Sequence, residues 1–308
     1  MAVTNKRLAA IDMGSNSFHL VLAEVSMRGF YPKPRIVARY KHKVRLADGF
    51  NSNFQLDSSS IARAKNCLKG FSDQLKRFKP DAVRAVATAA LRKSANQADI
   101  IPGLEQALGY SINVISGETE AALIFAGVCA AAEQQEPILV IDIGGASTEV
   151  IVGKPLKPKL LKSLDMGCVV FQNSYFSDKK LTSDNFEAAI SQAQAQIADY
   201  SRDYQQAGWQ QVLGASGTFR ALAEVALAEG QTALTRDWLR SLIDRCIKAG
   251  AVNKLSFAGL REDRKAILAG GISILYGLLL ELGIEQFGVT NGALREGLLA
   301  ELAAEVTA

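Results

Sequence analysis

A chain of 308 residues, 48% hydrophobic and 21% charged, is long enough for two domains and buries roughly three-quarters of its unfolded surface. Its net charge of +4, with a pI near 8.8, leans mildly towards anionic partners and excludes the dense basic stripe of a duplex-DNA binder. Four scattered cysteines (Cys67, Cys129, Cys168, Cys246) form no CxxC pair, and with only two histidines, His19 and His42, they argue against zinc and for a reducing compartment.

No secretory signal is expected, because the apolar run "LAAI" stops at Asp12. The run Ile272–Leu280 is too short to span a bilayer and is followed by Glu281. These features predict a cytoplasmic protein with no membrane and no nucleic-acid partner.

In chain order, "RLAAIDMGSNSFHLVLAEV" reads as a strand, a small-residue turn and a second strand, and "RIVARYKHKVRLA" as more strand. Apolar positions at helical spacing predict a helix over Ser58–Phe78, capped by the serines at its start. "AVRAVAT" reads as a strand, Gln97–Leu108 as a helix, "INVIS" as a strand and Thr119–Glu133 as a helix. The later part continues with helices at Gly167–Tyr175 and Ser183–Tyr204, and a short strand "QQVLGAS". Helices at Thr218–Leu227, Arg236–Ala249 and Arg264–Leu282 and a strand "FGVT" complete the reading. Such alternation predicts an α/β fold with largely parallel sheets covered on both faces.

One pattern occurs twice. Ile11-Asp12-Met13-Gly14-Ser15-Asn16-Ser17 and Ile141-Asp142-Ile143-Gly144-Gly145-Ala146-Ser147 both read apolar-Asp-apolar-Gly-small-small-Ser, and a strand-like run follows each. The repeat predicts a duplicated fold. The expected domains are 1–125 and 126–308, meeting at a stiff hinge with a cleft between them.

In both copies the Asp falls at the carboxyl end of a strand, where ligands bind in open α/β sheets. Small residues in the next turn let backbone N–H groups approach an anion, and carboxylates beside such a cradle suit a hard cation such as Mg²⁺. A plain Asx turn explains either copy alone; both together favour a phosphate site. "LGASGTFRAL" adds a strand–loop–helix anion site, although Ser216 or Thr218 capping a helix explains it equally well. None of the loops is a P-loop. Glu118 and Glu120 of "GETEA" open a helix, which suits the helix dipole or a general base. Thr88 and Arg92 follow a strand, where Arg92 is a phosphate grip or a surface arginine.

Taken in order, "AIDMGSNSFHLVLAEV", "ATAALRKSANQ", "VISGETEAALIFAGV", "VIDIGGASTEVIVG", "MGCVVF", "LGASGTFRAL" and "TNGALREGLL" closely resemble the exopolyphosphatase/guanosine pentaphosphate phosphatase family over nearly the whole chain. The resemblance implies two ribonuclease H-like domains of the actin-like ATPase superfamily around a cleft, and Mg²⁺-dependent hydrolysis of a terminal phosphate.

It implies Glu120 as catalytic base, and Asp142 and Glu149 as the residues holding the metal and ordering the attacking water. Asp12, Ser15, Asn16 and Ser17, with Arg92 beside them, match the first phosphate loop. Gly144, Gly145, Ser147 and Thr148 match the second, and Gly214, Ser216, Gly217 and Thr218 the third. Lys41, Lys43, Arg45 and Arg264 are expected to line the mouth.

Two departures from the family pattern stand out. Ala146 replaces the last of three glycines, which costs about 1 kcal/mol if that position needs positive φ. The chain also stops soon after "ALREGLLAELAAEV", where longer members continue into an HD-like region, so shorter polyphosphates are the expected substrate. Guanosine pentaphosphate is the alternative, with a homodimer an allowed state. A sugar or acetate kinase of the same fold is a third reading and a non-catalytic sensor a fourth; the collinear motifs and intact acidic set argue against both.

Overall fold

The computed structural model describes residues 5–26, 34–131, 136–155 and 157–307. Alternating apolar runs at the start of the chain form three antiparallel strands, β1 (Asn5–Met13), β2 (Ser17–Ser26) and β3 (Arg35–Lys43). Helix α1 (Ser58–Phe78) returns the chain to β4 (Ala82–Ala87), which lies parallel to β1. The cap of α1 is not a serine: Asp57 accepts from the Ser60 amide at 2.6 Å, and a charged oxygen suits the dipole better than a hydroxyl.

A short turn of helix, α2 (Ala89–Arg92), leads to α3 (Gln97–Leu108), β5 (Asn113–Val114) and α4 (Gly117–Ala131). The tail of the helix expected to reach Glu133 lies outside the described residues. The sheet order is β3-β2-β1-β4-β5. One of its faces buries Ile11, Met13, Phe18 and Leu20 against Leu68, Phe71 and Leu104 from α1 and α3.

The second unit repeats this plan. β6 (Ile138–Ile143), β7 (Thr148–Lys154) and β8 (Lys157–Leu164) run antiparallel, followed by α5 (Cys168–Tyr175) and α6 (Ser183–Ala207). Then come β9 (Gln211–Ala215), α7 (Ser216–Ala228), β10 (Leu234–Thr235), α8 (Arg236–Ala249), α9 (Glu262–Leu282) and β11 (Gln286–Val289). The order is β10-β11-β9-β6-β7-β8. Apart from the two-residue β10 at its edge, this matches the first sheet strand for strand. β8 gave no clear signal in the sequence because lysines at 157, 159 and 162 interrupt its apolar positions, as is common for an edge strand.

α9 is long and apolar enough to cross a membrane, longer than the run read from the sequence. It is instead mostly buried inside its own unit, against α5, α6 and α8. A helix surrounded by neighbours is apolar all round for the same reason a membrane span is.

The final helix, α10 (Leu294–Thr307), departs from the expected division. The chain divides into Met1–Ala131 with Gly292–Ala308, and Ala132–Asn291, so the last residues rejoin the first unit. α10 packs on α4 and β1. The expected domain 126–308 therefore loses its last helix, because α4 offers α10 a groove of bare backbone that no local pattern announces. A Cβ on Gly127 of α4 would fall 2.0 Å from the Ala293 carbonyl oxygen and 2.6 Å from the Gly297 nitrogen.

Backbone cannot yield as a side-chain tip can, so Gly127→Ala is expected to destabilise the first unit by about 1–3 kcal/mol. Urea unfolding of the variant against the parent protein checks this.

Candidate functional site

The β1–β2 register sets Asp12 opposite His19 and Met13 opposite Phe18, leaving residues 14–17 to turn. The Gly14 amide closes the turn on the Ser17 carbonyl at 3.2 Å. The carbonyls of Ser15 and Asn16 accept from the Ala47 and Arg45 amides, which fixes the loop from outside. Ser15 and Ser17 are buried, and Asn16 is half-buried. Burial pushes the Asp12 carboxyl up from 3.8 to about 6; Arg295 opposes that rise and Glu296 adds to it.

The same construction recurs at β6–β7. Asp142 faces Glu149, Ile143 faces Thr148, and the Gly144 amide meets the Ser147 carbonyl at 2.9 Å. The carbonyls of Gly144 and Gly145 accept from the Cys168 and Val169 amides, so the loop caps the start of α5. Ala146 does not have a positive φ, and its methyl is carried without backbone strain. Both acidic side chains are buried, Asp142 at 8% exposure and Glu149 at 1%. The Ser163 hydroxyl on β8 donates to Glu149 Oε1 at 2.7 Å.

Two threonines matched to ligand contacts have structural bonds. The Thr148 hydroxyl donates to the Met166 carbonyl at 2.6 Å, and that of Thr218 to the Ile143 carbonyl at 3.3 Å. Each ties one part of the second unit's loops to another.

The third loop joins β9 to α7. Ser216 sits at φ 85°, a left-handed conformation that a non-glycine residue rarely adopts without cause. Next to it, Gly217 leaves room for Arg264 at the start of α9: a Cβ there would fall 2.2 Å from the guanidinium. Arg264 is buried, and its Nε has no hydrogen-bond partner among the described residues. It is thus a desolvated cation against the third loop and not an exposed one at a mouth. Lys41, Lys43 and Arg45 are exposed; the last two, with Asp48, Asp57 and Arg63, line an open cavity of about 550 Å³.

In the first turn of α4 the two glutamates separate, with Glu118 exposed and Glu120 buried. Arg92 Nη1 donates to Glu120 Oε2 at 3.0 Å and to the Ile115 carbonyl at 2.9 Å. The arginine matched to a phosphate contact thereby also fixes the carboxylate matched to the base.

Sequence reading missed three contributors. Ser163 was missed because β8 was not recognised. His19 and Arg295 were missed because they meet only in the fold: Arg295 Nη1 lies 2.7 Å from His19 Nδ1 and 3.9 Å from Asp12 Oδ2. Arg295 stands in the quoted "ALREG" segment, but nothing local ties it to Asp12.

Among the described residues no group of three or more His, Cys, Asp or Glu is placed to hold a metal ion. The buried Asp142–Glu149 pair still fits a hard cation, which takes carboxylate oxygens and completes its shell with water and phosphate oxygens.

Two α/β units of one strand order each carry an aspartate near the end of a buried strand, followed by a tight main-chain turn. The chain belongs to the Ppx/GppA phosphatase family, which matches residues 21–305. It is 41% identical over 293 residues to a guanosine-5'-triphosphate,3'-diphosphate pyrophosphatase of Aeromonas hydrophila, covering 94% of this chain and 58% of that one. The chain thus spans little more than half the length of that relative. It is 36% identical over 299 residues to a Haemophilus influenzae protein named provisionally as an exopolyphosphatase, covering 96% of this chain and 91% of that one. An exopolyphosphatase structure from Cytophaga hutchinsonii superposes with a TM-score of 0.84 at 24% identity, covering 97% of this chain and 98% of that one. An Aquifex aeolicus family member gives 0.81 at 22% identity, covering 99% and 100%.

The raised Asp12 value has a thermodynamic consequence. A carboxyl whose folded value, about 6, exceeds its unfolded 3.8 favours the folded state below pH 4, and that contribution is lost as pH rises through 6. Relative to Asp12→Asn, the parent protein should lose roughly 2–3 kcal/mol of stability between pH 4 and 7. Urea melts of both proteins across that range measure it.

Proposed function

We propose that this chain is an exopolyphosphatase that hydrolyses the terminal phosphate of inorganic polyphosphate. The observation that carries the reading is the buried pair Asp142 and Glu149, opposed across one hairpin beside a loop of main-chain amides. Two carboxylates side by side on one face of a hairpin offer the oxygen ligands a hard cation takes. Mg²⁺ or another divalent cation, held there, would offset charge on the transferred phosphate's oxygens. The Aeromonas relative's name supports a second reading, guanosine pentaphosphate as substrate. Both substrates end in the same phosphoanhydride, and the residue roles are common to both.

Glu120 takes a proton from the attacking water and aims it, with Arg92 holding the carboxylate in place. In the second unit the 144–147 loop supplies amides to phosphate oxygens, and so does the start of α7, where Arg264 adds a buried positive charge; in the first unit the 14–17 turn has the same build. Ser163 fixes the Glu149 carboxylate. The reading describes a soluble cytoplasmic hydrolase whose partners are small polyanions, with no nucleic acid and no membrane.

Phosphate release from polyphosphates of graded length and from guanosine pentaphosphate, with Mg²⁺ and with a chelator, tests it. Turnover should vanish with chelator. Glu120→Gln should lower kcat about 10²–10⁴-fold while the thermal melt stays near that of the parent. Turnover indifferent to both changes would overturn the reading.

Ser163→Ala should leave the fold intact and raise the Mg²⁺ concentration for half-maximal rate about tenfold, since ligand-orienting hydrogen bonds contribute on that scale. A metal titration of the rate reads this.

A further inference from the structure

We propose that Arg295, carried back into the first unit by α10, is a positioning residue for Asp12. This rests on the reading above, in which the loop after Asp12 receives phosphate.

The geometry is specific. Cross-strand register puts Asp12 and His19 side by side on one face of the β1–β2 hairpin, and Arg295 meets both there. Arg295 is 7% exposed. A guanidinium has no acceptor, so in this bond His19 Nδ1 accepts. The short bond goes to the histidine at 2.7 Å, whereas the Asp12 oxygen stays at 3.9 Å, beyond hydrogen-bond reach. Asp12 thus feels a buried positive charge without giving up a lone pair to it. A purely structural ion pair would close, as Arg84 does on Glu305 of the same helix at 2.6 Å.

Lys41 of β3 stands opposite His19 and is exposed, and further charged groups on the neighbouring strands are engaged or oppose ionisation. On β4, Arg84 pairs with Glu301 and Glu305 of α10. On β3, Arg39 pairs with Glu296, itself a neighbour that disfavours a charged Asp12. Arg295 is the cation among the influences on Asp12 that favours its carboxylate form.

The helix bearing Arg295 is seated backbone to backbone on α4, through Gly127 and Gly297. α4 begins with Glu120. One helix therefore braces the element carrying the proposed base and also supplies the charge beside Asp12.

The test compares Arg295→Met, which removes the charge, with Arg295→Lys, which keeps it. Rates are measured from pH 5.5 to 8.5, with thermal melts and a ¹⁵N-histidine spectrum, which holds only two residues to assign. In Arg295→Met the acid limb of kcat should move up by about one pH unit, with about a tenfold loss at pH 6 that recovers at high pH. KM should change little, Arg295→Lys should restore the limb, and the His19 Nδ1 resonance should move as its hydrogen-bond donor is lost in Arg295→Met. An unshifted limb, or an equal loss at every pH that lysine does not rescue, overturns the proposal. A parent protein that turns over neither substrate overturns the functional reading itself; the His19 spectrum then still decides whether Arg295 makes the contact.

Discussion

The structure depends on the register of two hairpins. In each unit a buried central strand ends in an aspartate, the chain turns within four residues, and antiparallel pairing fixes which side chain stands opposite that aspartate. The backbone is the same both times, down to the glycine amide bonded to the serine carbonyl three residues on. The electrostatics are opposite. Asp12 faces a histidine bonded to an arginine, whose charge offsets part of the cost of burying the carboxylate. Asp142 faces Glu149, so a second carboxylate stands where the first hairpin has a histidine. One duplicated frame thus sets a histidine opposite the aspartate in one unit and a glutamate in the other.

Rigidity around these turns comes from polar bonds spent inside the protein. Thr148 and Thr218 use their hydroxyls on carbonyls, and the carbonyls of Gly144 and Gly145 satisfy the first amides of α5. Every such bond fixes a loop before any ligand arrives, which lowers the ordering cost of binding. Backbone strain sits at Ser216, whose left-handed conformation starts α7 beside buried Arg264.

Much of this was legible in the sequence where local chemistry repeats. The doubled apolar-Asp-apolar-Gly pattern marked both hairpins, helical spacing placed α1 at its observed limits, and the expected bounds of α3 and α8 match the observed ones. Legibility failed where a residue's meaning depends on a distant neighbour. The lysines of β8 hid a strand, and with it the bond from Ser163 to Glu149. Local chemistry does not separate Glu118 from Glu120, which the family resemblance singles out; α4 exposes the first and buries the second. The substitution at Ala146 raised a question of backbone angle that only the folded loop answers.

The sequence by itself determined the class of chemistry, because carboxylates followed by small residues at strand ends are local facts encoded in consecutive positions. Tertiary structure decided which charges meet. Arg295 reaches Asp12 from the far end of the chain because α10 packs on α4 through glycine backbone and on β1, not because of any pattern near either residue. The physical reason is that periodicity records which face of an element is buried, whereas the partner on that face is set by packing between elements remote in the chain.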